Sequence, residues 1–427
     1  MASLSSSRVP TDRAVRAALA ALEGAGAKGQ EYERVALHPF PARMPTAVAE
    51  HLIRDLSSPG ATVLDPMVGS GTTMVAARLS GRRGIGIDRD PLAVLIARAT
   101  IQTISNEQVA GLPGRILQRA RKGIRQIHLL QARARLPRED QQFLRYWFPP
   151  ASQKQLFALA SAIDSEPQGP QRDLAWAVFS SLIIAKSAGA SFALDISRSR
   201  PHKRPDKDFV LPFDGWGRRF KSAVARHPFL DNLPTGEATI VEGDARALAL
   251  KDETVDLVLT SPPYLNAIDY LRAHKFSLVW MGRDLQGLRQ LRGTMMGTER
   301  GLWSPDGLPA SFERRLEEAV TTSRRRAILR RYLSDMHKLL AEAKRVLRPG
   351  GLAVLVVGPS IVETDEADAV AVVRGLASSL DLETVGSATR SLSAGRRSLP
   401  PPFRASQENP LAKRMEHEIL VALRKLE

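Results

Sequence analysis

Apolar and polar residues alternate along this chain in two registers. Compact apolar runs at "ATVLD" (61–65), "RRGIGID" (82–88), "EATIVEGD" (237–244), "TVDLVLT" (254–260) and "GLAVLVVG" (351–358) read as buried strands. Around them lie stretches with apolar positions every three or four residues: 46–56, "TTMVAARLSG" (72–81), "YLSDMHKLLAEAKRVL" (332–347) and 366–379. That spacing predicts amphipathic helices. Two further strands are expected near 381–390 and 416–424. Strands followed by helices, repeated, predict an α/β fold with a mostly parallel, doubly wound sheet.

Two stretches interrupt the alternation. Residues 101–235 separate the second strand from the third and read as a helical insertion; residues 282–331 form a second one. The first carries 21 Lys/Arg against 11 Asp/Glu and the second 11 against 6, in a 427-residue chain of formal net charge +16. A uniform bias would spread this excess evenly. Its concentration points to phosphate contacts and to nucleic acid as a partner. Residues 1–30 are small and polar, with "EGAGAKGQ" as a linker, and predict a flexible N-terminal segment holding one short helix near 12–23. The scaffold is then 31–100 together with 236–427.

The chain has no cysteine, which excludes disulfides, thiolate metal sites and cysteine nucleophiles together. No apolar run reaches the ~18 residues of a membrane span. The opening "MASLSSSRVPTDR" lacks the apolar core of a signal peptide, so a cytoplasmic protein of bacterial type is expected.

The segment "VLDPMVGSGTT" (63–73) leaves a strand and opens a helix. Gly69 and Gly71 permit close backbone approach to a ligand, and a helix N-terminus favours an anion. A phosphate loop would need Lys before Ser/Thr, and the dinucleotide pattern would need a further glycine; both are missing. Asp65, Asp88 and Asp244 each end a strand, and in an open α/β sheet those ends face the ligand crevice.

D-P-x-x-G-S-G-T-T, an acid after the second strand, G-D-A and "SPPY" (261–264) together resemble the motif series of S-adenosylmethionine-dependent DNA amino-methyltransferases. "HPFPARMP" (38–45) is similar to that family's N-terminal motif. The resemblance covers about 38–100 and 237–425 and is weak across the first insertion. It implies a class I methyltransferase sheet, Rossmann-like, mostly parallel with one antiparallel strand. It implies S-adenosylmethionine as cofactor, with Asp65, Gly69, Gly71 and Thr72 lining its methionine end and Phe40 and Pro41 packing nearby. Asp88 would bind the ribose hydroxyls and Asp244 the adenine amino group. Met67 stands where the family usually has Phe, and a flexible thioether can fill similar apolar space.

A base amine is a poor nucleophile because its lone pair is delocalised into the ring. Fixed hydrogen-bond acceptors can draw its nitrogen towards tetrahedral geometry. Pro262 and Pro263 stiffen the turn, Ser261 and the Pro262 carbonyl are the acceptors, and Tyr264 offers a face on which an extruded base can stack. The donor is a sulfonium, so no metal is required. Methylation at cytosine carbon 5 needs a thiolate, which this chain lacks. Within the family, Ser before Pro-Pro-Tyr is more typical of cytosine N4 enzymes, while Asp or Asn is more typical of adenine N6 enzymes. Adenine N6 methylation, an RNA base methyltransferase and a non-catalytic DNA-binding scaffold remain as alternatives. Double-stranded DNA is the implied partner, alone or beside a cognate restriction enzyme, with no membrane. Asn266, Asp269, Arg272 and His274 fall close to the target pocket, with Arg272 and Lys275 as candidate phosphate contacts. In "ISRSRPHKRPDK" (196–207), Arg198, Arg200, Lys203 and Arg204 are candidates for a DNA-contacting loop.

Overall fold

The computed structural model describes residues 9–23, 37–40, 43–185, 189–194, 196, 201–231, 234–263, 269–298, 308–319, 322–358, 360–362, 365–367, 369–392 and 417–426. Two helices, α1 (Asp12–Ala20) and α2 (Thr46–Leu56), precede strand β1 (Thr62–Asp65). Helix α3 (Thr72–Leu79), strand β2 (Arg83–Asp88) and helix α4 (Pro91–Ile101) complete the first unit. The longer helices of the first insertion are α5 (Leu112–Gly123), α6 (Arg138–Trp147), α7 (Pro150–Asp164), α8 (Pro170–Ile183) and α9 (Pro212–Ala225). The scaffold resumes with β3 (Glu237–Glu242), β4 (Val255–Thr260), α10 (Tyr270–Leu278), α11 (Leu285–Thr294), α12 (Ser323–Val346), β5 (Leu347–Val357), α13 (Ala369–Ser378), β6 (Leu382–Ser391) and β7 (His417–Lys425).

These strands form one seven-stranded sheet in the order β6-β7-β5-β4-β1-β2-β3. Every pair from β5 to β3 is parallel; β7 runs antiparallel to both β5 and β6. This is the class I methyltransferase arrangement, a Rossmann-like doubly wound sheet with one reversed strand. The strand order turns back between β1 and β4, which opens a crevice at their carboxyl ends.

One face of the sheet is covered by α1 and α2, through Val15, Leu19, Leu52 and Ile53 against Val63, Leu257, Val354 and Leu420. The N-terminal helix is therefore part of the core and not of a loose segment. Its Val15, Ala18 and Leu19 form an apolar stripe that only the sheet can bury. The other face carries α12 and α13. Helix α12 starts nine residues before the expected 332, inside the stretch assigned to the second insertion. Leu329, Leu333, Met336 and Leu340 make one continuous buried stripe, which the run of arginines from 324 to 326 obscures in the sequence. The interior of 101–235 is continuous with α4, α10 and the turn that follows α10: Leu92, Ile96, Phe276 and Trp280 share a cluster with Phe143, Phe148, Leu159 and Phe179.

Candidate active site

The glycine turn sits at the crevice. Its backbone is tied to β2 by the Val68 amide donating to the Ile87 carbonyl at 2.8 Å. Gly69 has φ +51° and Gly71 φ +88°, in the left-handed region. A Cβ on Gly69 would lie 3.3 Å from the Phe40 ring, so Phe40 crosses the turn. A Cβ on Gly71 would lie 3.1 Å from Ala97 of α4. Gly71 thus lets α3 pack closely on α4, and the room it leaves is taken by protein rather than by a ligand. Thr72 is buried at the start of α3, its hydroxyl 3.3 Å from that of Ser70. Met67 packs against the α12 side of the core.

The three strand-end acids have different surroundings. Asp65 is buried and accepts from the Met67 amide at 3.1 Å and the Thr260 hydroxyl at 2.8 Å. Burial pushes it up to about 6, against the opposing hydrogen bonds of Thr73, Thr260 and Met67. Asp88 accepts from the Gly69 and Asp90 amides, both at 2.9 Å. Burial first, then the charge of Asp90, pushes it up to about 7. Asp244 is engaged by two guanidiniums: Arg89 at 2.5 Å on Oδ2, and Arg246 through Nε at 3.0 Å on Oδ1 and Nη2 at 2.8 Å on Oδ2. With the Arg246 amide at 3.0 Å on Oδ1, its four acceptor positions are filled. Burial would raise Asp244, but the hydrogen bonds and charges of Arg246 and Arg89 outweigh it and hold the group below the usual carboxylate range.

The acceptor turn leaves β4 beside this loop. The Thr260–Asp65 hydrogen bond joins the end of β4 to the end of β1. Ser261 donates its proton to the Val356 carbonyl of β5 at 3.1 Å. Its oxygen lone pairs therefore remain for an incoming N–H donor. Pro262 is buried and Pro263 half-buried. Tyr264, Asn266, Pro41, Arg198 and Arg200 lie outside the described residues.

Several residues near the crevice carry no motif signature, among them Tyr270, Ser180 and Ser277. Phe40 stacks on Tyr270 of α10, with ring centroids 5.3 Å apart and an interplanar angle of 23°. His274, one turn on, bonds Asp90 at 2.6 Å through Nδ1, and both side chains are almost wholly buried. His38 Nε2 lies 2.8 Å from Ser180, whose hydroxyl donates to Ser277 at 2.8 Å. Burial, then the charge of His274, lowers His38 to about 3, so it is neutral. Arg89 and Arg246 likewise carry no motif signature. Their one signal is adjacency to Asp88 and Asp244.

The candidate DNA contacts divide. Arg272 faces Asp269, which Arg292 also pairs. Lys275 lies over the Phe143 ring at 5.5 Å; burial, then the charge of Arg292, lowers its affinity for its proton. Lys203 sits 4.1 Å over the exposed Tyr146 ring. Arg204 pairs with Asp206 at 3.0 Å. Among the described residues, no group of three or more His, Asp or Glu is placed to hold a metal, and no helix is long and apolar enough to cross a membrane.

Residues 22–99 match the family model described as DNA methylase, N6_N4_Mtase. The type II methyltransferase M.BsoBI of Geobacillus stearothermophilus is 25% identical over 287 residues, 57% of this chain and 52% of that protein. The type II methyltransferase M.ScaI of Streptomyces caespitosus is 41% identical over 75 residues, 17% of this chain and 24% of that protein. The chain resembles DNA amino-methyltransferases of the N4/N6 type. It spans about half, or less, of the length of these relatives. Among solved structures, a geranyl diphosphate methyltransferase in complex with SAM aligns at TM-score 0.33 and 10% identity, covering 90% of this chain and 86% of that one. The fold assignment rests on the strand order and not on that overlay.

The fold and the amino-methyltransferase resemblance imply S-adenosylmethionine as cofactor, and the residues present fit it. Asp65 and Asp88 are enclosed carboxyls, held above their ordinary values by burial, and each has acceptor capacity for ammonium or hydroxyl donors. Phe40, half-buried, presents an apolar ring beside Gly69.

Proposed function

We propose that the protein is a DNA methyltransferase acting on the exocyclic amine of a base flipped from duplex DNA, cytosine N4 ahead of adenine N6. The observation that carries this reading is the joining of the two half-sites. The Thr260–Asp65 hydrogen bond holds the acceptor turn against the donor loop, while the Ser261 proton is committed to Val356. When bound, S-adenosylmethionine supplies an activated methyl group for direct displacement. Ser261 Oγ and the Pro262 carbonyl accept the amine hydrogens and orient the nitrogen; the prolines fix both acceptors before the base arrives. Asp88 holds the ribose hydroxyls. Ser261, where adenine enzymes of the resembling family have an acid or amide, supports N4 over N6.

Purified protein with labelled S-adenosylmethionine is expected to label duplex DNA of mixed sequence, and nucleoside analysis to return N4-methylcytosine. N6-methyladenine would replace the finer reading, and label confined to RNA would sink the DNA reading. Ser261→Ala should lower kcat roughly 10²-fold, the scale of one preorganised hydrogen bond lost from a transition state, with cofactor affinity unchanged by calorimetry.

Duplex DNA as partner is supported by charge. Residues 108–163 carry 10 Lys/Arg against 2 Asp/Glu. On α5, Arg115 and Arg119 are committed to the buried Glu166 at 2.9 and 2.7 Å. Arg121, Lys122 and Arg125 instead line an open groove with Gly114, Leu117 and Gln118, and among the described residues none of the three has an acidic partner. Replacing these three cations with Gln should reduce the slope of log affinity for DNA against log salt by roughly 2 to 3. A cognate restriction enzyme is the protein partner this reading brings with it.

A further inference from the structure

We propose that Tyr270, His274 and Ser277 form a positioning stripe that holds the acceptor turn in register with the methyl-donor loop, with His274 as its central residue. The proposal rests on the methyltransferase reading above for its kinetic arm only. The three residues stand at i, i+4 and i+7 of α10 and therefore share one face. Tyr270 and His274 meet elements of the donor site directly, and Ser277 reaches one through Ser180. The Tyr270 ring stacks on Phe40, which crosses Gly69. His274 bonds Asp90 Oδ2 at 2.6 Å, while Asp90 Oδ1 caps α4 at the Leu92 amide at 2.9 Å. The Asp90 amide in turn donates to Asp88. Ser277 takes the proton of Ser180, so Ser180 accepts from Nε2 of His38, two residues before Phe40.

Apolar residues flank the stripe on both sides, where Leu271, Phe276 and Leu278 enter the helical core, and Arg272 and Lys275 take the opposite face. Packing alone would be served by more such apolar residues, since buried ionisable contacts are costly to assemble and an apolar set of equal volume is often as stable. A buried network with fixed partners instead selects one geometry. Helix α10 begins nine residues after Ser261, so the helix that follows the acceptor turn is keyed, through His274, to the loop bearing Asp88.

The test compares His274→Leu with His274→Asn. The Asn side-chain nitrogen stands near the place of Nδ1 and can donate to Asp90; Leu cannot. In hydrogen–deuterium exchange, His274→Leu is expected to raise exchange both in 270–278 and in 257–261, and His274→Asn to restore most of the protection. In steady-state kinetics, His274→Leu should lose at least tenfold in kcat, with the Kd for S-adenosylmethionine within about threefold and His274→Asn close to the unaltered protein. Faster exchange confined to 270–278, equal impairment of both variants, or a parallel loss of kcat and cofactor affinity would overturn the proposal. If His274→Leu does not fold, Asp90→Asn carries the same comparison, because Asn keeps the helix cap and removes only the charged acceptor. Absence of methyl transfer by the unaltered protein would overturn the proposed function and leave the exchange result standing on its own.

Discussion

Asp88 and Asp244 end neighbouring strands at the same edge of the sheet, yet they are chemically opposite. Asp88 sits among backbone amides and other acids, its proton held up to about 7. Asp244 lies between Arg89 and Arg246 and is held below the ordinary range. One carboxyl is poised to receive donors; the other is saturated with them. A strand-end position brings an acid to the crevice, but the surrounding charges decide whether it has anything left to offer a ligand.

The sharpest way to break this contrast is by substitution at Asp88. Asp88→Ala removes hydrogen bonds to a charged acceptor, each worth about 1.5–3 kcal/mol. With two ribose hydroxyls held as proposed, the loss is about 3 kcal/mol or more, and the affinity for S-adenosylmethionine should fall at least ~100-fold in calorimetry. A smaller effect comes from pH. Since Asp88 titrates near 7 in the folded protein, cofactor affinity should rise about tenfold from pH 6 to 8, and Asp88→Asn should flatten the profile. The same shift runs the other way for stability. The folded state holds this proton more tightly than the unfolded chain, so the stabilising contribution of Asp88 is fully present below about 4 and is lost as pH rises towards 7. The smallest effect on binding belongs to Asp244. Asp244→Asn should change cofactor affinity by no more than about threefold while lowering the melting temperature, because Arg89 and Arg246 lose their shared counter-charge. An affinity loss as large as that of Asp88→Ala would erase the contrast and return Asp244 to the adenine.

The scaffold was largely legible in the sequence. β1, the glycine turn and α3 follow one another in 62–79 with apolar spacing and turn chemistry that agree, and β4 stops at two prolines that no central strand could contain. Those features are local, and local patterns survive translation into one dimension. Asp244 shows where that reading ends: its place in "EGDA" marks it as a cofactor acid, while its distant partner Arg89 is brought to it from the end of β2 by the fold. His274 and Asp90 stand 184 residues apart in the chain, and nothing in either neighbourhood announces the other. Gly71 reads in sequence as a point of close backbone approach, and the fold adds that a Cβ there would also meet Ala97 of α4. In each case the missing information was a partner supplied by another element.

The shared interior of 101–235 with α4 and α10 bears on how far that block can be exchanged. Phe143, Phe148 and Phe157 pack directly on Phe276 and Trp280 of the segment behind the acceptor turn. A block exchanged between relatives at the boundaries of that segment would bring foreign side chains to this seam and disturb the helix that follows the acceptor turn. On the proposed DNA reading, new target sequences are therefore more accessible by substitution on the outer surface of these helices than by transplanting the block, and a working chimera would have to carry α10 along with it.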